Sequence, residues 1–316
     1  MNRPVLSVVL TVVDGGNALR RCLAALLAQQ DAPPLEIVIP IDSTLSSHRW
    51  MSELRSAHDG APVRWLDLGT LPTTRPPMSA TGQHELIDRR RAAGLAAARG
   101  ELIAIVEDRG VPEPTWAATA VRLHRALPHA VIGGAVENGR PGLLNRAVYY
   151  CDFGRYQRPF AAGPREYVTD VNVAYKRAAL EQTQPIWRER YHEPLVHWAL
   201  IEAGQTVFLS PEMAVIQIRD GLTLRRLIRE RFAWGRLFGR LRSQHASLGR
   251  RLWWLAAAPV VPAVLFGRFL RDRLRKREPA AAIAAVGPAV ALLLSAWAIG
   301  EAAGYLAAGS SHPKRD

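Results

Sequence analysis

The sequence predicts an α/β protein, a doubly wound mixed sheet followed by amphipathic and hydrophobic helices. Three observations carry this. Between residues 5 and 139, apolar β-rich runs alternate with runs of helical periodicity. Acids stand where three of the apolar runs stop. The positive charge is concentrated late: the chain carries a formal +13, and residues 219–278 hold sixteen Arg or Lys against four acids. A basic block has been joined to a nearly neutral domain, which sets the expected boundary at 218, with one domain over 1–218 and a basic helical region over 219–316.

The run VLSVVLTVV, residues 5–13, is apolar almost throughout, as a parallel strand covered on both faces is. ALRRCLAALLAQQ, residues 18–30, places Leu19, Leu23, Leu26 and Leu27 on one helical side. PPLEIVIPID is a second strand ending at Asp42. RRRAAGLAAARG reads as a helix with Gly100 as its cap. ELIAIVED is a third buried strand, EPTWAATAVRLHRAL a helix and HAVIGGAVENG a further strand. Ligands of such sheets bind beyond the carboxyl ends of the strands, where Asp14, Asp42, Glu107 and Asp108 fall. One acid there is ordinary turn chemistry; acids at three strand ends point to a site. Residues 140–218 read as irregular and polar-aromatic.

With 316 residues, 48% hydrophobic and 22% charged, the chain buries a sizeable core and is not disordered by composition. Its two cysteines, Cys22 and Cys151, lack metal spacing and suggest a reduced compartment or simple packing. The N-terminal apolar run stops at Asp14 and reads as a strand rather than a signal peptide, so the front of the chain is expected in the cytosol. LWWLAAAPVVPAVLFG, residues 252–267, is uncharged, cut by Pro259 and Pro262, and short for a span. It reads as an interfacial or re-entrant element. AAAIAAVGPAVALLLSAWAIG, residues 280–300, is long enough to cross, or to pair with the first as a hairpin. Trp beside an Arg cluster favours an anionic membrane as partner over nucleic acid; the plainer reading is a buried helical subdomain.

The order of pieces resembles the family 2 glycosyltransferases, which have the nucleotide-sugar-binding GT-A fold, over about residues 4–215. LSVVLTVVDGGNALRRCLAALLAQ is similar to the family's opening strand, loop and helix. EIVIPIDST is similar to its strand ending in D-D-G-S. RRRAAGLAAARGELIAIVEDRGVP is similar to A-R-N-x-G, A-x-G-E and the strand ending in the D-x-D signature. VNVAYKRAAL resembles the N-x-A-hydrophobic-R-R segment, and HEPLVHWALIEAG falls at the E-D pair before a helix ending in Gly. The tail is similar to that of membrane-associated members. The departures are Thr11 for the first-strand Pro, Asp14 for Asn, one Asp at Asp42 where two are common, Ala92 for Asn, and His192 before Glu193. At D-x-D the chain reads Glu107, Asp108, Arg109, and an arginine has no lone pair to offer a cation.

The resemblance implies an inverting transfer of a sugar from a nucleotide-sugar donor to a lipid-linked or polysaccharide-precursor acceptor. It implies the cytoplasmic face of the cell inner membrane. It implies that Glu107 binds Mg²⁺ or Mn²⁺, or the ribose, with Asp108 turned to the same ligand. Arg109 would take over part of the cation's charge on the pyrophosphate. Asp42 is expected on the nucleobase or ribose, Asp14 and Arg91 near the nucleotide, and Asn172 in the donor or acceptor pocket. Glu193 is expected as the base that takes the acceptor proton, with His192 as the other candidate. The altered motif positions also admit a catalytically impaired relative that acts as a membrane scaffold.

Overall fold

The computed structural model describes residues 3–244 and 246–307; residues 308–316 of the expected helical region lie outside the described residues. The strands are β1 (Leu6–Thr11), β2 (Leu35–Ile41), β3 (Val63–Asp67), β4 (Leu102–Glu107), β5 (Gly110–Pro112), β6 (Val131–Asn138), β7 (Gly163–Pro164), β8 (Asn172–Lys176) and β9 (Val207–Gln217). The helices are α1 (Gly16–Leu27), α2 (Ser43–Ser46), α3 (Arg49–Ala57), α4 (Ala80–Ala97), α5 (Trp116–Ala126), α6 (Leu143–Asp152), α7 (Arg177–Gln182), α8 (Gln184–Trp187), α9 (Glu193–Glu202), α10 (Leu224–Ser243), α11 (Leu248–Ala257), α12 (Val261–Arg275) and α13 (Ala280–Ala307). Among the described residues they form two compact units, residues 3–139 with 156–218, and residues 140–155 with 219–307.

The first unit is built on a sheet of order β3-β2-β1-β4-β8-β6-β9-β5, with β7 beside β9. β1 and β4 are buried at every residue, which explains their unbroken apolar sequence. β3, β2, β1 and β4 run parallel, whereas β8 is antiparallel to both β4 and β6 and makes the sheet mixed. Residues 140–218, read as irregular, thus supply β8 and β9 to the sheet as well as several helices. Gly100 also corrects the reading: α4 closes at Ala98. A Cβ at Gly100 would meet the backbone N of Ser7 at 2.5 Å, so the residue allows a close approach to β1 rather than a helix cap.

The second unit packs α6, α10 and α12 against the long apolar α13. Ala147 and Val148 of α6, Leu227 of α10 and Phe269 of α12 share one core with Ile283, Val286, Val290 and Leu293. The inclusion of residues 140–155 was not visible from composition. α10 and α13 meet at a seam of four glycines. A Cβ at Gly235 would strike the carbonyl of Trp297, at Gly239 that of Glu301, at Gly300 that of Phe232 and at Gly304 that of Arg236. The two backbones lie in direct contact.

Candidate functional site

β1 and β4 pair in register, Thr11 beside Glu107, so the segments that follow them emerge side by side at the carboxyl edge of the sheet. Strand alternation sends successive side chains apart. Glu107 turns toward α4, where Arg91 donates to Oε1. Asp108 turns to the loop after β1 and accepts from the backbone N–H of Gly15 at 2.6 Å and of Asp14 at 3.1 Å. Gly15 has φ +69°, and a Cβ there would meet the Trp50 ring, so this loop conformation calls for glycine. Arg109 forms a two-pronged pair with Asp14, Nε to Oδ2 at 2.8 Å and Nη2 to Oδ1 at 2.7 Å. The expected convergence of Glu107 and Asp108 on one ligand is therefore corrected: the two carboxylates diverge from the tip of β4.

Arg91 is buried, as is its neighbour Arg90, so this run of arginines is not a solvated helix face. Besides Glu107, its Nη1 lies 2.6 Å from Asp170 and 3.6 Å from Asp88, and Glu193 adds a further favourable charge. One guanidinium thus contacts three carboxyl groups and acts on a fourth through its charge. Burial, with Asp170 adding repulsion, pushes Glu193 well above the usual carboxylate range. Burial also raises Glu107 to about 7 and Asp88 to about 8, although Arg91 opposes both shifts. Asp108, desolvated but held by the Gly15 N–H, rises to about 6. His192 stands 3.4 Å from Asp88. Burial, then the charges of Arg190 and Arg91, pushes it down to about 4. Burial therefore favours the neutral form of both members of that pair near neutral pH. Glu193 opens α9 with Pro194 in its first turn, and Gly204, at φ +78°, follows its end. Beneath it on the same helix, buried His197 lies 2.6 Å from Tyr175 Oη, which also bonds Tyr191, and this fixes how α9 presents Glu193.

Two expected site residues are occupied elsewhere. Asp42 is 1% exposed; one oxygen caps α2 through Thr44 N at 2.8 Å and the other accepts from Arg90 Nε at 2.8 Å. Asn172 is wholly buried, its Oδ1 accepting from Trp116 Nε1 at 2.8 Å and its Nδ2 donating to the carbonyls of Ala135 and Met213. Its carboxamide ties β8 to its neighbours and leaves nothing for a ligand, which corrects its expected place in a pocket. Sequence reasoning missed Arg90, Asp88 and Asp170. Glu85, Asp88 and Arg91 recur at i, i+3 and i+6 on α4, an acid-acid-arginine face that would have flagged Asp88. Nothing local flags Asp170.

The residues present do not fit a divalent cation as the D-x-D resemblance implies. The third position is a guanidinium, Glu107 is engaged by Arg91, and Asp108 faces backbone N–H groups. Among the described residues no three His, Cys, Asp or Glu side chains converge as a ligand set.

No protein-family model and no curated protein matches the sequence. Solved structures do match in fold. The mannosyltransferase PcManGT from Pyrobaculum calidifontis, in complex with GDP-Man and Mn²⁺, superposes with a TM-score of 0.52 at 15% identity, over 99% of this chain and 77% of that one. S. aureus TarS, residues 1–349, gives 0.50 at 13% identity, over 91% of this chain and 89% of the other. The chain shares with these proteins the GT-A α/β fold, and it carries C-terminal apolar helices.

Proposed function

We propose that the protein is an inverting glycosyltransferase that moves a sugar from a nucleotide-sugar donor to a lipid-linked or polysaccharide-precursor acceptor at the cytoplasmic face of the cell inner membrane. The observation that carries this reading is Arg91, one buried guanidinium paired with Glu107 at the tip of β4 and with Asp170, whose charge also acts on Glu193 at the start of α9. The resemblance to family 2 glycosyltransferases implies a donor-binding acid on the first of these elements and the base on the second. The mannosyltransferase of like fold holds a nucleotide sugar, and the basic, apolar helices carried on the same chain support an acceptor close to lipid.

In this reading the acceptor hydroxyl attacks the anomeric carbon as the bond to the diphosphate oxygen breaks, and the configuration inverts. Glu193, ionised, takes the hydroxyl proton. Its desolvation raises its proton affinity above that of an ordinary carboxylate, and it keeps part of its surface open to solvent. Charge on the departing diphosphate falls to guanidinium groups. Arg109 meets it by exchanging Asp14 for phosphate oxygens of the same two-pronged geometry. The Nε of Arg91 finds no acceptor among the described residues and offers a further charged donor. His192, held neutral, lines the acceptor side.

A second reading is a catalytically impaired, glycosyltransferase-like membrane scaffold. It is favoured by the internal engagement of Asp42, Asp108 and Arg109. A panel of UDP- and GDP-sugars, scored for slow donor hydrolysis and by calorimetric titration with and without Mn²⁺, separates the two. Turnover of one donor supports the enzyme; binding of none supports the scaffold.

A further inference from the structure

We infer that the helical unit seats on an anionic lipid surface through the outer face of α11 and α12 and does not cross the bilayer. The exposed residues of this stretch fall on one helical stripe. Leu252, Trp253, Ala256, Val260, Ala263 and Val264 recur at spacings of three and four, and all are exposed, Trp253 at 67% and Val260 at 59%. No charge interrupts residues 252–267. Arginines bound the stripe at both ends, Arg250 and Arg251 before it, Arg268 and Arg271 after it. From residue 248 to 278 eight basic side chains face two acids, Asp272 and Glu278.

An exposed apolar band framed by arginines fits the boundary between acyl chains and anionic headgroups. A second copy of the same face fits worse, because packing two of them would bring arginine against arginine. Both helical stretches, Leu248–Arg275 and Ala280–Ala307, are long and apolar enough to cross; crossing is opposed by the short uncharged part of the first and by the company the helices keep. The uncharged run is ~24 Å long at 1.5 Å per residue, short of the ~30 Å hydrocarbon layer. α12 is packed along α13 in the shared core, so the two would cross together. α13 in turn is locked along its C-terminal half to α10 through the glycine seam. α10 shows the exposed arginines Arg225, Arg229, Arg236 and Arg240. Near its middle, α13 also adjoins α6, whose Asp152 pairs with Arg231 of α10. A crossing hairpin would carry these charges to bilayer depth, where they are costly. α13 is the core of the unit, and α11 with α12 is its lipid-facing side.

The full-length protein is floated with vesicles of phosphatidylglycerol and phosphatidylcholine, and with vesicles of phosphatidylcholine alone. Flotation with the anionic vesicles is expected, reduced at least tenfold by Trp253→Glu with Val260→Glu, at positions exposed enough to leave folding intact by circular dichroism. Failure to float, or a detergent-free dimer broken by the same pair of changes, overturns the inference. Sidedness is read on membranes of expressing cells with Asp59→Cys and Arg275→Cys, each labelled by a membrane-impermeant maleimide in sealed, oriented vesicles. Labelling of both from the same side supports surface seating, and labelling from opposite sides shows a crossing hairpin and overturns it. Neither assay involves a donor sugar, so the result stands apart from the glycosyltransferase reading.

Discussion

The two sides of the tip of β4 handle charge in opposite ways. On one side Arg109 and Asp14 match one for one, and Asp108 is met by backbone N–H groups. That side is balanced, and its groups clasp the loop after β1. On the other side Arg91 is outnumbered by Asp88, Glu107, Asp170 and Glu193. Burial drives protons onto that surplus, raising Glu107 to about 7 and Asp88 to about 8. The contrast teaches that a strand end rich in acids is not one site but two environments, one with its charges matched and one with a surplus of acids that hold protons near neutral pH.

The test with the largest expected effect removes the base. Glu193→Gln should lower turnover by about 10² to 10⁴ with donor affinity little changed, whereas His192→Ala should cost less than about tenfold (~1.4 kcal/mol). Turnover in single-turnover assays and calorimetry of donor binding check this. The reverse ranking would move the chemistry off Glu193.

Next is the counter-ion. Arg91→Met strands the buried acids and should cost about 3 to 5 kcal/mol of stability near pH 8. The cost should shrink near pH 6, where the acids hold protons and no longer need a cation. Urea denaturation at both pH values measures it, and a cost independent of pH would show that the surplus acids do not titrate there.

A smaller effect is expected on the balanced side. Arg109→Ala should lower turnover by about 10- to 100-fold, the ~1.5 to 3 kcal/mol of a charged hydrogen bond, and added Mn²⁺ should recover part of it. Native activity should change by less than about tenfold in chelator. If native protein is inert in chelator and Arg109→Ala is fully active with metal, Arg109 is a loop residue only.

The gentlest test is the pH profile. The acid limb of kcat should lie well above the ordinary carboxylate range if the ionised Glu193 cluster governs it. A limb near 4 that is lost in His192→Ala would instead identify His192. Stability carries the matching sign. Glu107 keeps its proton in the folded chain up to about 7, against an ordinary value of 4.5. The folded state therefore binds more protons in that window, and this group's contribution to stability falls as pH rises through it. Thermal unfolding scans from pH 5 to 8, native against Glu107→Gln, read that slope.

Much of the sheet was legible because β1, β2, β4 and β6 are nearly unbroken apolar runs separated by helical periodicity. β8 and β9 were not, since their place depends on antiparallel pairing with strands distant in sequence. α6 could not be assigned to the helical unit because Ala147 and Val148 find Phe269 and Ile283 only after folding. In the site, the strand-end acids stood out, but their directions did not. Arg90 and Arg91 are neighbours in one run, and the roughly 100° turn between them on α4 sends one to Asp42 and the other to Glu107. Asp170 arrives from a loop with no local mark at all.

The glycine seam between α10 and α13 has a consequence at the level of the gene. Every single-base change in a glycine codon that alters the residue without ending the chain introduces a side chain with a Cβ. At Gly235, Gly239, Gly300 and Gly304 each such change places that carbon against a carbonyl of the facing helix. These four codons therefore have no conservative neighbours one step away.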